Sequence, residues 1–111
     1  MSDQYSKRRF KESPLEQSVK EDIVRTLTVP TDWGTADFSS ITCYLYEDPS
    51  GVEDNISDEL SGSASSSGQV ITFKKILGSS LVAEKDYRFE VVFTTSEGNK
   101  LCGWGEFRAT R

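Results

Sequence analysis

The sequence predicts an all-β protein, an antiparallel β-sandwich preceded by an extended N-terminal arm. Apolar side chains recur at a period of two in several short stretches, and turn residues separate these stretches about every ten residues. The length of 111 residues allows one compact domain, and no stretch has the periodicity of a long helix. We therefore expect an arm over residues 1–18 and a sandwich over residues 19–111.

The sequence predicts five to seven short strands, and five stretches can be placed because β-branched, aromatic and alternating apolar residues concentrate in them. They are 21–29, 41–46, 70–77, 87–94 and 100–110. The first ends at Pro30, which favours a position at a sheet edge. The second has apolar side chains on both faces, so it is expected either at the centre of a sheet or beneath a covering segment. The fourth alternates most regularly and is expected to line the core.

Turn and loop residues separate these strands. Residues 96–99 have the length and composition of a hairpin turn between the last two strands. Residues 61–68 are almost entirely Ser and Gly, which indicates a loop or a poorly paired edge. Gly103 and Gly105 flank Trp104 in the last strand, where they predict a bulge or a close backbone contact.

The N-terminal segment differs from the rest of the chain in charge and pattern. Residues 1–20 carry a net charge of +2, whereas the remainder carries −7. Such a basic arm can dock on an acidic surface of a partner or fold back loosely on its own domain. Ser13–Glu16 fits a helix start, with a Ser cap, Pro at the first helical position and Glu three residues after the cap, so a single helical turn is compatible with the sequence there but too short to be stable alone.

The composition argues against an enzyme and against a bound cofactor. The chain contains no histidine, which removes most catalytic dyads and every His-ligated metal site. Its two cysteines, Cys43 and Cys102, are too few for a zinc site or a disulfide scaffold, and are expected to be reduced thiols. No phosphate-binding glycine motif and no nucleophile elbow occurs.

Charge and hydropathy also exclude two classes of partner. The acidic body would repel nucleic acid, whose phosphates need a Lys/Arg patch. No run approaches the roughly 18 to 20 apolar residues of a membrane helix, and the N-terminus lacks the apolar region of a signal peptide. We therefore expect a product of the cytoplasm that binds neither nucleic acid nor membrane.

The acidic segment 47–59 is the only candidate for metal binding. Its carboxylates are Glu47, Asp48, Glu53, Asp54, Asp58 and Glu59. Their spacing does not match the calcium-binding loop of EF-hands, so a solvated acidic loop is expected, with calcium as the alternative.

Two resemblances add to this interpretation. Residues 81–89 resemble the turn into the sixth strand of immunoglobulin-like and fibronectin type III domains, where a leucine precedes a tyrosine by six residues. The resemblance implies that Tyr87 forms a tyrosine corner, its hydroxyl bonding upstream backbone. The immunoglobulin disulfide does not carry over, because Phe89 stands where the cysteine would be. An antibody-type domain is therefore not expected.

The second resemblance covers about residues 10–111. In this range the chain is similar to small immunoglobulin-like virion proteins of tailed bacteriophages. The features that carry the similarity are a charged arm, the sequence SPLEQ, a strand into a Trp-Gly loop, a Ser/Gly-rich middle and the ending Tyr87 to Asn99. The resemblance implies a non-enzymatic structural subunit, a tail-fibre or head–tail adaptor or a capsid decoration, made in the host cytoplasm and located in the virion. Implied partners are portal, collar, tail or capsid subunits, with several symmetric copies per assembly.

Partner binding is expected from the basic and aromatic residues of the arm and from the large aromatic residues of the sandwich. These candidates are Lys7, Arg8, Arg9, Phe10, Lys11, Trp33, Tyr44, Tyr46 and Trp104. Two alternatives stay open: a soluble carbohydrate-binding or adhesion module that stacks sugars on the exposed Trp and Tyr rings, and a monomeric interaction protein of a phage or bacterium.

Overall fold

The computed structural model describes residues 8–10, 15–47 and 54–111, and in these residues the secondary structure consists of strands and short 3-10 turns. The strands are β1 (Arg8–Arg9), β2 (Leu15–Ser18), β3 (Asp22–Ile23), β4 (Thr26–Thr28), β5 (Ser39–Glu47), β6 (Asp54–Asn55), β7 (Ser65–Ser67), β8 (Val70–Thr72), β9 (Ile76–Leu77), β10 (Asp86–Thr94) and β11 (Lys100–Thr110). The 3-10 turns are Ser57–Glu59 and Gly78–Ser80. Across these three described ranges, no helix has the length and apolar character that crossing a membrane requires.

The larger sheet is built around the β10–β11 hairpin. Its order is β1-β11-β10-β5-β6, and β2 also pairs with β11. The hairpin register is uninterrupted from Asp86 opposite Arg108 to Thr94 opposite Lys100. At its turn, the Thr95 N–H donates to the Asn99 carbonyl at 2.8 Å, so the predicted hairpin turn is confirmed.

The remaining strands form two smaller sheets. One has the order β4-β8-β7, and the other is the pair β3-β9. A backbone hydrogen bond links the two smaller sheets. The Phe73 N–H, between β8 and β9, donates to the Arg25 carbonyl, between β3 and β4, at 2.8 Å. β4 lies at the end of its sheet, as Pro30 predicts, and the Ser-rich stretch contributes the opposite edge, β7.

Apolar side chains of the larger and smaller sheets meet in one buried cluster. Its members are Phe10, Leu27, Val29, Phe38, Cys43, Leu45, Ile56, Ile71, Phe73, Ile76, Leu81, Tyr87, Phe89, Val91, Phe93, Phe107 and Ala109. Phe73 and Phe89 join the two sides edge to face, with ring centroids 5.6 Å apart. Burial of such rings is the main favourable term in folding, so this cluster holds the sheets together in a sandwich-like arrangement.

β10 lines the core, as its alternating sequence predicts. Tyr87, Phe89, Val91 and Phe93 are all fully buried. The Tyr87 hydroxyl accepts a hydrogen bond from the Val82 N–H at 2.7 Å and donates to Glu47 Oε2 at 2.7 Å. The bond to upstream backbone that the resemblance implies for Tyr87 is therefore present.

The N-terminal segment requires a correction. The sequence predicts that residues 1–18 lie outside the core, but β1 and β2 both pair with β11 in parallel. Phe10 and Gln17 are each only 1% exposed. The prediction is wrong for residues 8–10 and 15–18. The physical reason is that β11 would otherwise leave unpaired backbone groups along its edge, which these segments satisfy.

The helical turn that the sequence allows at Ser13–Glu16 is absent from the part of this segment that the structure describes. Leu15–Ser18 is extended and pairs with the residues from Phe107 to Thr110. A single helical turn is unfavourable to nucleate, whereas each residue added to a sheet edge gains ladder hydrogen bonds. Ser13 and Pro14 lie outside the described residues.

Candidate interaction surface

The larger sheet presents one face to the core and one to the surroundings. Along β5, β10 and β11 the odd-numbered residues line the core, so the even-numbered ones face outward. The strand register places Tyr44 beside Glu90 and Glu90 beside Trp104, with Tyr46 beside Arg88 in the next rung. We call these five residues, Tyr44, Tyr46, Arg88, Glu90 and Trp104, the aromatic face.

The rings of the aromatic face are half-buried and ordered against charged groups. Tyr44 and Tyr46 lie nearly parallel, with centroids 6.4 Å apart and an interplanar angle of 18°. The Arg88 guanidinium lies 4.8 Å from the centre of the Tyr46 ring. Arg9, from β1, lies 5.0 Å from the centre of the Trp104 ring. Cation–π contacts of this kind restrict the rings to defined orientations.

A buried carboxylate lies in the middle of the aromatic face. Glu90 faces outward in the strand alternation yet is only 4% exposed. Its Oε2 lies 2.9 Å from Arg88 Nε, and its Oε1 lies 3.9 Å from Cys102 Sγ. Because a buried charge is costly without a partner, this pair holds Arg88 in place over Tyr46.

Sequence reasoning missed Arg88 and Glu90 as members of a surface. The alternation of β10 indicates that both side chains point away from the core. It does not indicate that they lie between Tyr44 and Trp104, because that neighbourhood depends on the pairing of β10 with both β5 and β11.

Of the arm residues predicted as a recognition patch, the structure describes Arg8, Arg9 and Phe10, and they do not share one exposed surface. Phe10 is buried, and its ring packs on the bare backbone of Gly103, where an added Cβ would come within 2.5 Å of it. This is the close backbone contact predicted for the glycines of the last strand. Arg8 and Arg9 are exposed. Lys7 and Lys11 lie outside the described residues.

Trp33 lies against the N-terminal arm and is not part of the aromatic face. It is half-buried, and its ring lies 5.3 Å from the Phe10 ring, centroid to centroid. Arg8 lies 5.9 Å from the centre of the Trp33 ring. The two tryptophans, from distant parts of the sequence, thus flank the arm together with Gly103. We call Trp33, Gly103 and Trp104 the arm slot.

The two cysteines lie on opposite faces of the larger sheet, and both are free thiols. Cys43 belongs to the buried cluster, whereas Cys102 is half-buried on the outward face. Burial raises the pKa of the Cys43 thiol above its ordinary value. Burial and the raised pKa both disfavour the reactive thiolate form of Cys43.

The acidic segment is described only in part. Residues 48–53, with Asp48 and Glu53, lie outside the described residues, and Asp54, Asp58 and Glu59 are exposed. Glu47 is half-buried and accepts the Tyr87 hydrogen bond. Within the part of the chain that the structure describes, no three His, Cys, Asp or Glu side chains are grouped to hold a metal ion.

The arrangement therefore offers surface contacts made by aromatic rings and charged pairs. In comparisons with known proteins, no family model and no curated protein matches the chain.

Proposed function

We propose that the chain is a non-enzymatic structural subunit of a tailed-bacteriophage particle, located in the virion, that joins neighbouring virion proteins. In this proposal it is a tail-fibre or head–tail adaptor or a capsid decoration, made in the host cytoplasm and present in several symmetric copies. Its partners are portal, collar, tail or capsid subunits. The phage context rests on the sequence resemblance, and the mode of binding rests on the aromatic face.

We also infer an immunoglobulin-like sandwich. The order β11-β10-β5-β6 opposite β4-β8-β7 supports it, as does a parallel N-terminal strand on β11. The Tyr87 hydroxyl bonded to the Val82 N–H supports it independently, because this contact defines a tyrosine corner.

The aromatic face is the observation that carries the binding proposal. Tyr, Trp and Arg are the residue types enriched at the centres of protein interfaces, where they supply large contact area at low cost in conformational entropy. Tyr44, Tyr46, Trp104 and Arg88 are neighbours on the outward face of one sheet, and the Arg88–Glu90 ion pair holds the guanidinium over the Tyr46 ring before a partner arrives. Such preorganisation favours binding because less side-chain freedom is lost.

The test compares capture of virion proteins by the full chain and by a face variant. In Tyr44→Ala/Tyr46→Ala, two ring contacts are removed while the core and the Arg88–Glu90 pair stay. We expect the tagged wild-type chain to capture virion structural proteins from an infected-cell lysate. The face variant should capture at least about tenfold less of them, since each removed ring contributes about 1 kcal/mol or more to binding.

The matched control removes exposed apolar side chains elsewhere. Val24 and Val82 are 46% and 49% exposed and lie outside the aromatic face. The variant Val24→Ser/Val82→Ser should capture the same proteins as the wild type. Equal capture by the face variant and the wild type would overturn the aromatic face as the binding surface. Capture of no virion protein by the wild type would overturn the structural role itself.

A carbohydrate-binding module is the second candidate, and the nearly parallel Tyr44 and Tyr46 rings favour it. A sugar stacks on a free aromatic face. Arg88 and Arg9 lie over Tyr46 and Trp104, which favours a protein partner. Saturable quenching of tryptophan fluorescence by a glycan, abolished in Tyr44→Ala/Tyr46→Ala, would reverse this order of preference.

A further inference from the structure

The arm slot holds the segment from Arg8 to Phe10 as a separate unit. β1 pairs in parallel with β11, Arg8 opposite Gly103 and Arg9 opposite Trp104. The Phe10 N–H then donates to the Trp104 carbonyl at 2.9 Å. This is the geometry by which extended peptides add to a sheet edge: backbone hydrogen bonds give affinity and side-chain pockets give selectivity.

Each side chain of the segment has its own receptor in the slot. Arg8 lies over Trp33 and Arg9 over Trp104, at 5.9 and 5.0 Å from the ring centres. Arg9 also lies 3.6 Å from a carboxylate oxygen of Glu106. The Phe10 ring occupies space that exists only because residue 103 has no Cβ. The slot therefore selects two cations followed by an aromatic residue in an extended strand.

The register separates β1 from the rest of the chain. Arg9 lies opposite Trp104 and Leu15 opposite Phe107, so six residues of the N-terminal segment correspond to three of β11. β1 and β2 are therefore paired with β11 as two separate segments rather than as one continuous strand.

We propose that the arm slot is an exchange site: the Arg8–Phe10 segment of one copy of the chain occupies the slot of a second copy. The occupant makes the same contacts in either case, so exchange between identical copies costs little contact energy, as in domain swapping. The inference rests on the proposed function in one respect, that an assembly brings copies together at high local concentration.

The reach of the connection defines how the copies must sit. The five residue-to-residue steps from Phe10 to Leu15 span at most about 17 Å when fully extended. The molecule measures 41 × 33 × 23 Å. A copy can therefore reach only a slot whose β11 edge lies directly beside its own, which is the arrangement of a two-fold pair or of adjacent subunits in a ring. The charge of +2 in residues 1–20 attracts the arm to the −7 remainder of either copy, so charge favours occupation of the slot by the arm of the same or of a second copy.

The experiment mixes two complementary variants. The arm donor, Gly103→Ala, keeps its arm but blocks its own slot, because the new Cβ lies within 2.5 Å of the Phe10 ring. The slot donor, Arg8→Ala/Arg9→Ala/Phe10→Ala, keeps its slot but has no competent arm. We expect each variant alone to be monomeric by native mass spectrometry and by sedimentation, and the mixture to form a one-to-one dimer.

A matched control removes the arm from the arm donor. Gly103→Ala/Phe10→Ala mixed with the slot donor should stay monomeric. A dimer that persists in this control would show that another surface joins the copies and would overturn the exchange. A mixture of arm donor and slot donor that stays monomeric at about millimolar concentration, the range of effective concentrations in assemblies, would also overturn it.

Two further measurements guard against variants that fail to fold. The wild-type chain serves as a second arm donor, and in a large excess of slot donor it should give the same dimer in a smaller fraction. A labelled peptide of residues 4–11 should bind the slot donor saturably and raise its Tm, and the same peptide with Phe10→Ala should do neither. Absence of saturable peptide binding would overturn the slot. Peptide binding without any dimer from the wild-type chain would overturn exchange.

None of these measurements uses virion proteins. Loss of exchange therefore leaves the capture experiment on the aromatic face unaffected, and failure of that capture leaves the dimer measurements unaffected.

Discussion

Tyr87 connects three parts of the chain through one hydroxyl group. The ring is buried in the core, and the hydroxyl joins the Val82 N–H of the preceding turn to Glu47 at the end of β5. Removal of the hydroxyl would leave a backbone donor and a carboxylate without this partner. Tyr87 therefore contributes more than its apolar area predicts, because its removal costs two hydrogen bonds, one of them to a charged group.

Tyr87→Phe is expected to lower the free energy of unfolding by about 1 to 3 kcal/mol. Urea unfolding followed by far-UV circular dichroism measures this change. Tyr44→Phe removes the same atom from a half-exposed ring and should change stability by less than about 0.5 kcal/mol. Equal losses in the two variants would contradict the role of the buried hydroxyl.

The Tyr87 hydroxyl also makes the free energy of unfolding depend on pH in the alkaline range. Burial, with the neighbouring Glu47 carboxylate, holds the pKa of Tyr87 far above its ordinary value of about 10. The folded state thus keeps the proton that the unfolded chain releases. The contribution to stability is complete below about pH 10 and is lost as the pH rises above that value toward the raised pKa. In Tyr87→Phe the slope of stability against pH above 10 should be shallower, which urea unfolding at several pH values measures.

At the scale of an element, β2 shows how a short polar strand is held. The Gln17 side chain is fully buried, and its Nε2 donates to the Ile76 carbonyl at 2.9 Å and to the Glu21 carbonyl at 3.0 Å. Beside it, Arg25 Nη2 donates to the Glu16 carbonyl at 2.9 Å. These bonds connect the larger sheet at β2 to the smaller sheets at β9, so β2 joins the two sides of the sandwich at one end.

Gln17→Leu preserves the volume of this side chain and removes its donors. We expect a loss of about 1 to 3 kcal/mol in the free energy of unfolding, because two carbonyl groups lose a buried partner. Glu16→Ala, on the exposed face of the same strand, should be within about 0.5 kcal/mol of the wild type, since its backbone carbonyl remains to accept from Arg25. A Gln17→Leu protein as stable as Glu16→Ala would contradict the role of β2 as a connection.

At the scale of the whole molecule, the N-terminal segment is part of the folded body where the structure describes it. β1 brings Phe10 into the core, and β2 covers the β11 edge. An arm outside the core could be removed without effect on thermal stability. A segment that supplies a core phenylalanine and a sheet edge could not.

Two truncated variants separate these cases. A chain that starts at Lys11 lacks β1, and loss of a buried Phe costs about 3 to 5 kcal/mol, so its Tm should fall on the order of 15 °C. A chain that starts at Val19 lacks β2 as well and should fall further. Differential scanning calorimetry measures both. An unchanged Tm in the chain that starts at Val19 would contradict the docking of the segment.

The sequence by itself determined the all-β class, the three long strands β5, β10 and β11 and the hairpin between the last two, whereas the predicted strands 21–29 and 70–77 are each divided between two sheets. These features follow from local signals: alternation along 87–94, Pro30 after the first strand and turn residues at 96–99. Each signal lies within a few residues of the structure it specifies, so no knowledge of the rest of the chain is needed.

Only the tertiary structure decided where the arm lies and which side chains form surfaces. Phe10 stands among charged residues without periodicity, and its burial depends on the missing Cβ of Gly103 and on Trp33, both distant in sequence. Arg88 and Glu90 become neighbours of Tyr44 and Trp104 only through the register of three strands. The physical reason is common to both cases: a sheet brings together residues by pairing strands, and the pairing of distant strands is set by the packing of the whole core.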